Sequence, residues 1–468
     1  MAGEKVMNMY IMILFVSVML AHPAYGQKLE GYLALAAEQN PGLKSTFFAY
    51  QSSLQRIPQV GALPDPQFSL GYFLRPMEQM MGNQVAQISL MQMFPWFGTL
   101  DAAKDEASLM AKTKFNAFRD AKSSLFYEVK TTWYALYLIE EEHRIMGENL
   151  QIMQTLETLA INRFKSGGTD GSVSSTTGSS MNARTKTPAS SGGMGMNTPT
   201  QVPKMGQSNS MASTMGGQGN GSLVDVLRIQ MLIHELENKQ HLLSDTRQTW
   251  VAQFNKLLNR PLETEVILSD PLPAVSLPVL LAQIPDSILE NNAMLKMLEA
   301  EEEAFLAQAK MNRKMGFPMI GFGAQYGILK PRAGNANPMN GRDMWMPMIS
   351  VSLPIWRNKY RASVKEAELK RAAVTEERRD TQNALMVSYE EALKKFRDAE
   401  RRGALYEKQT MLAQQALNIL TASYGAGGNE FEDVLQMQLK LLNYRLDQMN
   451  AIVDQNVSVA MLARLMGR

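Results

Sequence analysis

The chain has no cysteine among its 468 residues. That excludes a disulfide framework, a thiolate metal site, a cysteine nucleophile and a lipid-attachment cysteine behind a leader. No stretch after residue 26 stays apolar for the roughly twenty residues a membrane-crossing helix needs. Histidine is scarce as well. Of four, His22 lies in the N-terminal apolar region, and His143, His234 and His241 sit in helical patterns without paired metal-ligand spacing. There is no phosphate loop and no nucleophile motif. Acidic triplets such as Glu140-Glu141-Glu142 and Glu301-Glu302-Glu303 read as solvated helix faces. The expectation is a protein that is not an enzyme and holds no cofactor. The 47 basic and 45 acidic residues nearly cancel, and no basic patch is interleaved with aromatics, so nucleic acid is not an expected partner.

Residues 1–26 have the form of a secretory signal peptide: Lys5, an apolar run from Tyr10 to Ala21, and the small-x-small end Ala24-Tyr25-Gly26. An apolar core of about twelve residues is short for a membrane anchor, the competing reading. Further on come four alternating segments. Phe68, Leu70, Tyr72 and Leu74 alternate with Gln67, Ser69 and Gly71, and Ala86, Ile88 and Leu90 with Gln87, Ser89 and Met91. Ile320, Phe322, Ala324 and Tyr326 alternate with Gly321, Gly323 and Gln325, and Ile349, Val351 and Leu353 with Ser350 and Ser352. Each gives one apolar and one polar or small face, as in a strand with lipid on one side and water on the other. Four strands cannot close a water-filled barrel, and an open edge is not tolerated in lipid. Membrane strands here would therefore have to be shared among several chains. A soluble sheet with one wet face gives the same alternation; the helices that bracket both hairpins at matching places argue against it.

Those helices repeat. Pro95 and Phe164 are 69 positions apart, and Pro354 and Tyr424 are 70 apart. In the second copy Leu385, Tyr389, Ala392, Phe396, Ala399, Gly403, Tyr406, Thr410, Ala413, Leu417, Leu420 and Tyr424 advance by fours and threes, which keeps one small-residue seam toward a partner helix. Each half opens with another helix, broken at Asn40-Pro41 and at Asn291-Asn292. The organisation expected is a first helix–hairpin–helix repeat over 27–260, a Pro-rich linker over 261–283 and a second repeat over 284–468. The first repeat would hold strands at about 66–74 and 85–94 and a long helix at about 99–165. The second would hold strands at about 317–327 and 346–354 and a long helix at about 357–424. The copies differ most between their glycine pairs and Asp-Val-Leu. The second half uses four residues there and the first uses 56, from Thr169 to Val224. The stretch 169–221 is Ser, Thr, Gly, Asn and Met with almost no aliphatics, a composition expected to remain disordered.

Taken in order, these residues resemble the TolC-like outer membrane efflux proteins. The marks are the doubled repeat, Leu63-Pro64-Asp65-Pro66 before the first strand, and Phe94-Pro95-Trp96-Phe97-Gly98 after the second. To these add Arg163-Phe164-x-x-Gly167 with Asp225-Val226-Leu227-x-x-Gln230, and Tyr424-x-x-Gly427 with Asp433-Val434-Leu435-x-x-Gln438. The resemblance implies a mainly α fold with a small β part. Each chain would give four strands to a shared twelve-stranded membrane β-barrel and its helices to a long coiled-coil α-barrel, as a homotrimer. The implied place is the outer membrane and its lipid, with a periplasmic extension, and the implied partners are a periplasmic membrane-fusion adaptor and an inner-membrane pump. By position, Phe164, Gly167, Tyr424 and Gly427 would lie in adaptor-docking turns. Asp225 and Tyr424 match a gate-closing link between neighbouring coiled coils, and Asp433 matches an acidic constriction ring, which would attract cations. Asn429 stands where the family has a basic gate residue, and Gln436 where it has a second acid. Helix N-capping accounts for Asp225 and Asp433 equally well.

Methionine is abundant, at 35 residues. Thioether sulfur suits Cu(I), and by the same softness Ag(I), and is a poor ligand for hard cations. Candidate ligands are Met181, Met194, Met196, Met205, Met211 and Met215 in the insertion, Met77, Met80 and Met81 read as one turn, and Met91, Met319, Met346 and Met348 on the inward register of the strands. Methionine is also an adaptable core filler, which suffices for Met146, Met153 and Met449 at helical spacing. The function expected is a passive export duct opened by adaptor and pump, with the CusC-like copper/silver branch favoured on methionine alone. A general multidrug or solvent efflux duct is the alternative within the family, and a secreted soluble coiled-coil scaffold the alternative outside it.

Overall fold

A computed structural model describes residues 29–167, 223–268, 271–275, 283–334, 336–426 and 431–468. The expected signal peptide, the insertion over 169–221 with its six candidate methionines, Gly427 and Asn429 all lie outside those residues. The elements are α1 Leu29–Gln39, α2 Pro41–Val60, β1 Gln67–Gln79, β2 Gly82–Phe94, α3 Thr99–Gly167 and α4 Leu223–Leu257, followed by α5 Ile284–Asn291, α6 Ala293–Met315, β3 Met319–Lys330, β4 Met344–Ser352, α7 Arg357–Gly425 and α8 Phe431–Leu465. The long helices α3 and α7 have 69 residues each, about 100 Å at 1.5 Å per residue, and the returning helices α4 and α8 have 35 each. The chain divides into two compact units. One comprises residues 1–144, 242–411 and 443–468, and the other residues 145–241 and 412–442.

In the first unit the four strands form one antiparallel sheet in the order β1-β2-β3-β4. The register aligns Phe68 with Leu90, Ala324 and Pro347, and Leu70 with Ile88, Tyr326 and Trp345, so one face is apolar from edge to edge. Its side chains are open: Phe68, Leu70, Tyr72 and Ile349 are each about two-thirds or more exposed. β1 outruns the alternation that predicts a strand over 66–74 and continues to Gln79. It passes Pro76 because β1 is an edge strand, and the register shifts between Tyr72 and Met77, where a missing N–H removes no ladder bond. Met77 is therefore paired with Gln84 in the strand and is not part of a turn with Met80 and Met81. Those two make a tight loop closed by Gly82, at φ 127°. β4 starts two residues early and stops at Ser352, leaving Pro354 beyond it.

The same unit is held by two apolar clusters. The larger joins Tyr32, Val129, Trp133, Phe254, Val266 and Val453, with Phe254 fully buried, a burial that stabilises by roughly 2–3 kcal/mol. The smaller joins Ile284, Ile288, Tyr389, Leu393 and Leu462. The helix breaks are built alike in both repeats. Asn40 caps α2, its Oδ1 accepting from the Leu43 N–H at 2.9 Å while its Nδ2 donates to the Leu257 carbonyl at 2.9 Å. Asn292 caps α6 through the Met294 and Leu295 N–H groups and donates to the Leu465 carbonyl at 2.9 Å. One asparagine thus satisfies orphan donors of one helix and an orphan carbonyl of another. The Pro-rich linker is strapped down in the same manner: Asn255 Nδ2 donates to the Leu262 and Thr264 carbonyls, and Asn456 Nδ2 to that of Pro273.

Candidate functional site

Two places carry the residues singled out in the sequence, one in each unit. In the second unit the C-terminal ends of α3 and α7 meet the N-terminal ends of α4 and α8. The Arg163 guanidinium lies 4.4 Å from the centre of the Tyr424 ring and donates to the Tyr424 carbonyl at 3.2 Å. On its other side the Tyr424 ring meets Phe431, with centroids 5.5 Å apart. The ring is buried and, among the described residues, its hydroxyl has no hydrogen-bond partner. Arg228 and Glu432 form an ion pair at 2.6 Å, which ties α4 to α8. Phe164 is exposed, and of Gly167 only the helical backbone is described.

The doubled Asp-Val-Leu-x-x-Gln motif is built from this packing. Val226 and Val434 are buried, and the glutamine four residues on reaches α3 in both copies. Gln230 donates to Glu157 at 2.8 Å and Gln438 to Asn149 at 2.7 Å. The leucines differ: Leu435 is buried and Leu227 half exposed. Asp225 and Asp433 stand third in their helices, inside the first turn and not ahead of it as capping requires. Their carboxylates instead complement the positive end of the helix dipole. Asp433 is exposed and Asp225 half buried. Tyr424 contacts Arg163, part of the first tip motif though given no role there, and Phe431, which the sequence did not single out. Contacts across 261 and 204 positions of sequence, as for Arg163 with Tyr424 and Arg228 with Glu432, leave no local signal.

The second place is the polar face of the sheet. The register puts Met91 in one row with Gly323 and Met348, and Gln325 in the next row with Ser89 and Met346; Met319 and Ser352 share a third. Met93 and Met344 lie on this face too, beside Gly321 and Gly327. They are missed residues, although counting by twos from Met91 and Met346 reaches both. The glycines of β3 make room for sulfur. A Cβ on Gly321 would lie 2.5 Å from the Met93 sulfur and 3.2 Å from that of Met91, and one on Gly323 would lie 3.0 Å from the Met91 sulfur. Ser69 and Ser89 Oγ atoms share a hydrogen bond of 2.6 Å on the same face. Met77 and Met80 are at the hairpin end and exposed. Met153, in contrast, is fully buried in helix packing. Among the described residues no three His, Cys, Asp or Glu side chains gather as a metal site, and no helix is long and apolar enough to cross a membrane.

Residues 284–468, the second repeat, match the family model described as "Outer membrane efflux protein". That match makes the second repeat similar to the outer membrane efflux proteins. No curated protein matches the chain in sequence. Solved structures extend the likeness, in fold, over both repeats of the chain. The outer-membrane channel OprN aligns with 94% of the chain and 89% of its own at TM-score 0.70 and 14% identity. The outer membrane protein VceC of Vibrio cholerae aligns with 94% and 96% at 0.66 and 14%. CusC, whose structures concern folding and transmembrane channel formation, aligns with 94% and 91% at 0.69 and 14%.

Proposed function

We propose that three copies of this chain close one twelve-stranded barrel and form the outer-membrane duct of a tripartite efflux system. A membrane-fusion adaptor docks at the turns that hold Phe164, Gly167, Tyr424 and Gly427, and an inner-membrane pump supplies the energy. Tyr424 with Asp225, and Asp433, form the gate. The open edges of β1 and β4 support the shared barrel, because backbone groups left unpaired in lipid cost several kcal/mol each. The exposed apolar face supports the same reading.

The cargo in this proposal is a soft monovalent metal ion, Cu(I) or Ag(I). One observation carries it: the sheet face that would line the barrel presents Met91, Met93, Met319, Met344, Met346 and Met348, with the Met91 and Met93 sulfurs laid over glycines. Thioethers bind such ions and leave harder cations alone, and several weak sites in series allow passage. Met77, Met80 and Met81 at the hairpin end, and the six methionines of the insertion, would add capture sites. A general multidrug duct is favoured instead by Met153, whose complete burial shows methionine used as filler.

The test is Cu(I) and Ag(I) tolerance of a host lacking its own duct but holding matched adaptor and pump, with a hydrophobic drug in parallel. Intact protein, a Thr169–Asn220 deletion and a Met91→Leu/Met348→Leu variant are compared. Loss of metal tolerance by about tenfold with drug tolerance kept supports soft-ion export. Equal metal tolerance in all three leaves the general duct.

A further inference from the structure

An open cavity of about 830 Å³ lies between the end of α6 and the start of α7, under the exit of β4. We infer that it is a binding site for the phosphate headgroup of an anionic glycerophospholipid in the periplasm-facing leaflet of the outer membrane. On its α7 wall stand Arg357, Arg361 and Lys365, spaced by four so that they form one stripe. Like charges at that spacing repel. Arg357 also stands in the first turn of α7, the positive end of its dipole, and that turn has no acidic residue. The one carboxylate in the lining, Glu368, is engaged by Arg313 at 2.9 Å. Among the described residues no carboxylate pairs with Arg357, Arg361 or Lys365. An anion entering the cleft would relieve that repulsion, and a diester phosphate with several acceptor oxygens meets guanidinium and ammonium groups together.

The rest of the lining names the source of that phosphate. Leu353, just past β4 and in step with the lipid-facing Ile349 and Val351, and Ile355, in the turn that follows, are 67% and 71% exposed. Phe317 joins them in the lining; Trp356, 78% exposed, lies in the same β4–α7 connection, and Phe97, 83% exposed, in the matching β2–α3 connection. Aromatics where a lipid-facing strand ends mark the interfacial depth of a bilayer. The cleft therefore opens where acyl chains give way to headgroups, with apolar walls for the chains and cations for the phosphate. This assignment needs the outer-membrane location of the family and is independent of what the duct carries.

The experiment uses the assembled full chain in nanodiscs and reads acylation of lysines by mass spectrometry. Lys359 serves as the internal reference: it is exposed, on the same helix about 9 Å nearer the strand, and outside the lining. In phosphatidylglycerol, labelling of Lys365 relative to Lys359 should be about fivefold slower than in phosphatidylcholine, and inorganic phosphate added to the phosphatidylcholine discs should not slow it. The Arg357→Gln/Arg361→Gln variant should lose that protection while still extracting as the intact assembly. The wild-type comparison stands by itself should the variant fail to assemble. Equal labelling in the two lipids overturns the proposal. So does protection by inorganic phosphate alone, which would make the cleft a free-anion site.

Discussion

At the scale of single residues, Tyr424 separates two explanations of its presence. Its ring contacts Arg163 and Phe431, while its hydroxyl is buried and without a partner among the described residues. A buried hydroxyl without a partner costs free energy, so Tyr424→Phe should leave stability unchanged or raise it by up to about 1 kcal/mol. A role in holding a gate shut through that hydroxyl predicts something further: raised single-channel conductance of the isolated duct in a planar bilayer. Stability gain with unchanged conductance would make Tyr424 a packing residue only. Glu142 offers a second test. Burial raises its pKa above the ordinary value, against a smaller lowering by a hydrogen bond with Asn450. An acid whose folded pKa is raised destabilises when both states are ionised, and that cost fades as pH falls through the raised value. Glu142→Gln should therefore raise the melting temperature slightly at pH 7–8, by less than about 1 kcal/mol of stability, and the gain should vanish below about pH 4, where the unfolded chain is protonated too. A gain that persists at low pH would place its cause in packing.

At the scale of elements, the two helix breaks show why some structure was legible beforehand. The 3–4 spacing of the α7 seam is a local pattern, and Tyr389, Ala392, Phe396, Ala399, Ala413, Leu417 and Tyr424 are all buried as that spacing requires. Asparagine before a helical run likewise signals a cap. What no local pattern contains is the second half of the device, the Asn292 Nδ2 bond to Leu465 across 173 positions. Asn292→Ala should lose both, costing about 1–2 kcal/mol for the cap and more for the buried carbonyl left unpaired, whereas Asn292→Asp should keep the cap and lose only the donor. Denaturant unfolding of the assembled protein orders the three variants, and an alanine variant as stable as the aspartate one would refute the clamp. The strands were read less well for a physical reason. Alternation reports which faces a strand presents, and β1 beyond Leu74, through Arg75 and Pro76, presents no regular pair of faces even though it stays paired. The methionine face was half legible because periodicity gives the register of each strand, while the rows across strands belong to the sheet.

At the scale of the whole molecule, what one chain leaves unfinished defines the assembly. The sheet begins and ends on unpaired edges, and its apolar face is open to the surroundings along β1 and β4. In lipid both edges must be covered, and the cheapest cover is the other edge of an identical chain. Such a head-to-tail contact closes into a ring or grows without limit, and a barrel wide enough for an aqueous channel selects closure at a fixed number. The absence of cysteine from the chain makes this directly measurable, since any thiol introduced is the only kind present. With Ser69→Cys in β1 and Met346→Cys in β4, both on the polar face, a bismaleimide of about 10 Å reach should join neighbouring copies in the membrane, the strand spacing being about 5 Å. The expected ladder on a denaturing gel stops at three chains, and each single-cysteine variant, having no partner thiol on the facing edge, stays monomeric. A ladder that continues past three would show open-ended growth, and one confined to two would show that the barrel closes otherwise. Either result would remove the three-fold axis on which an Asp433 ring depends.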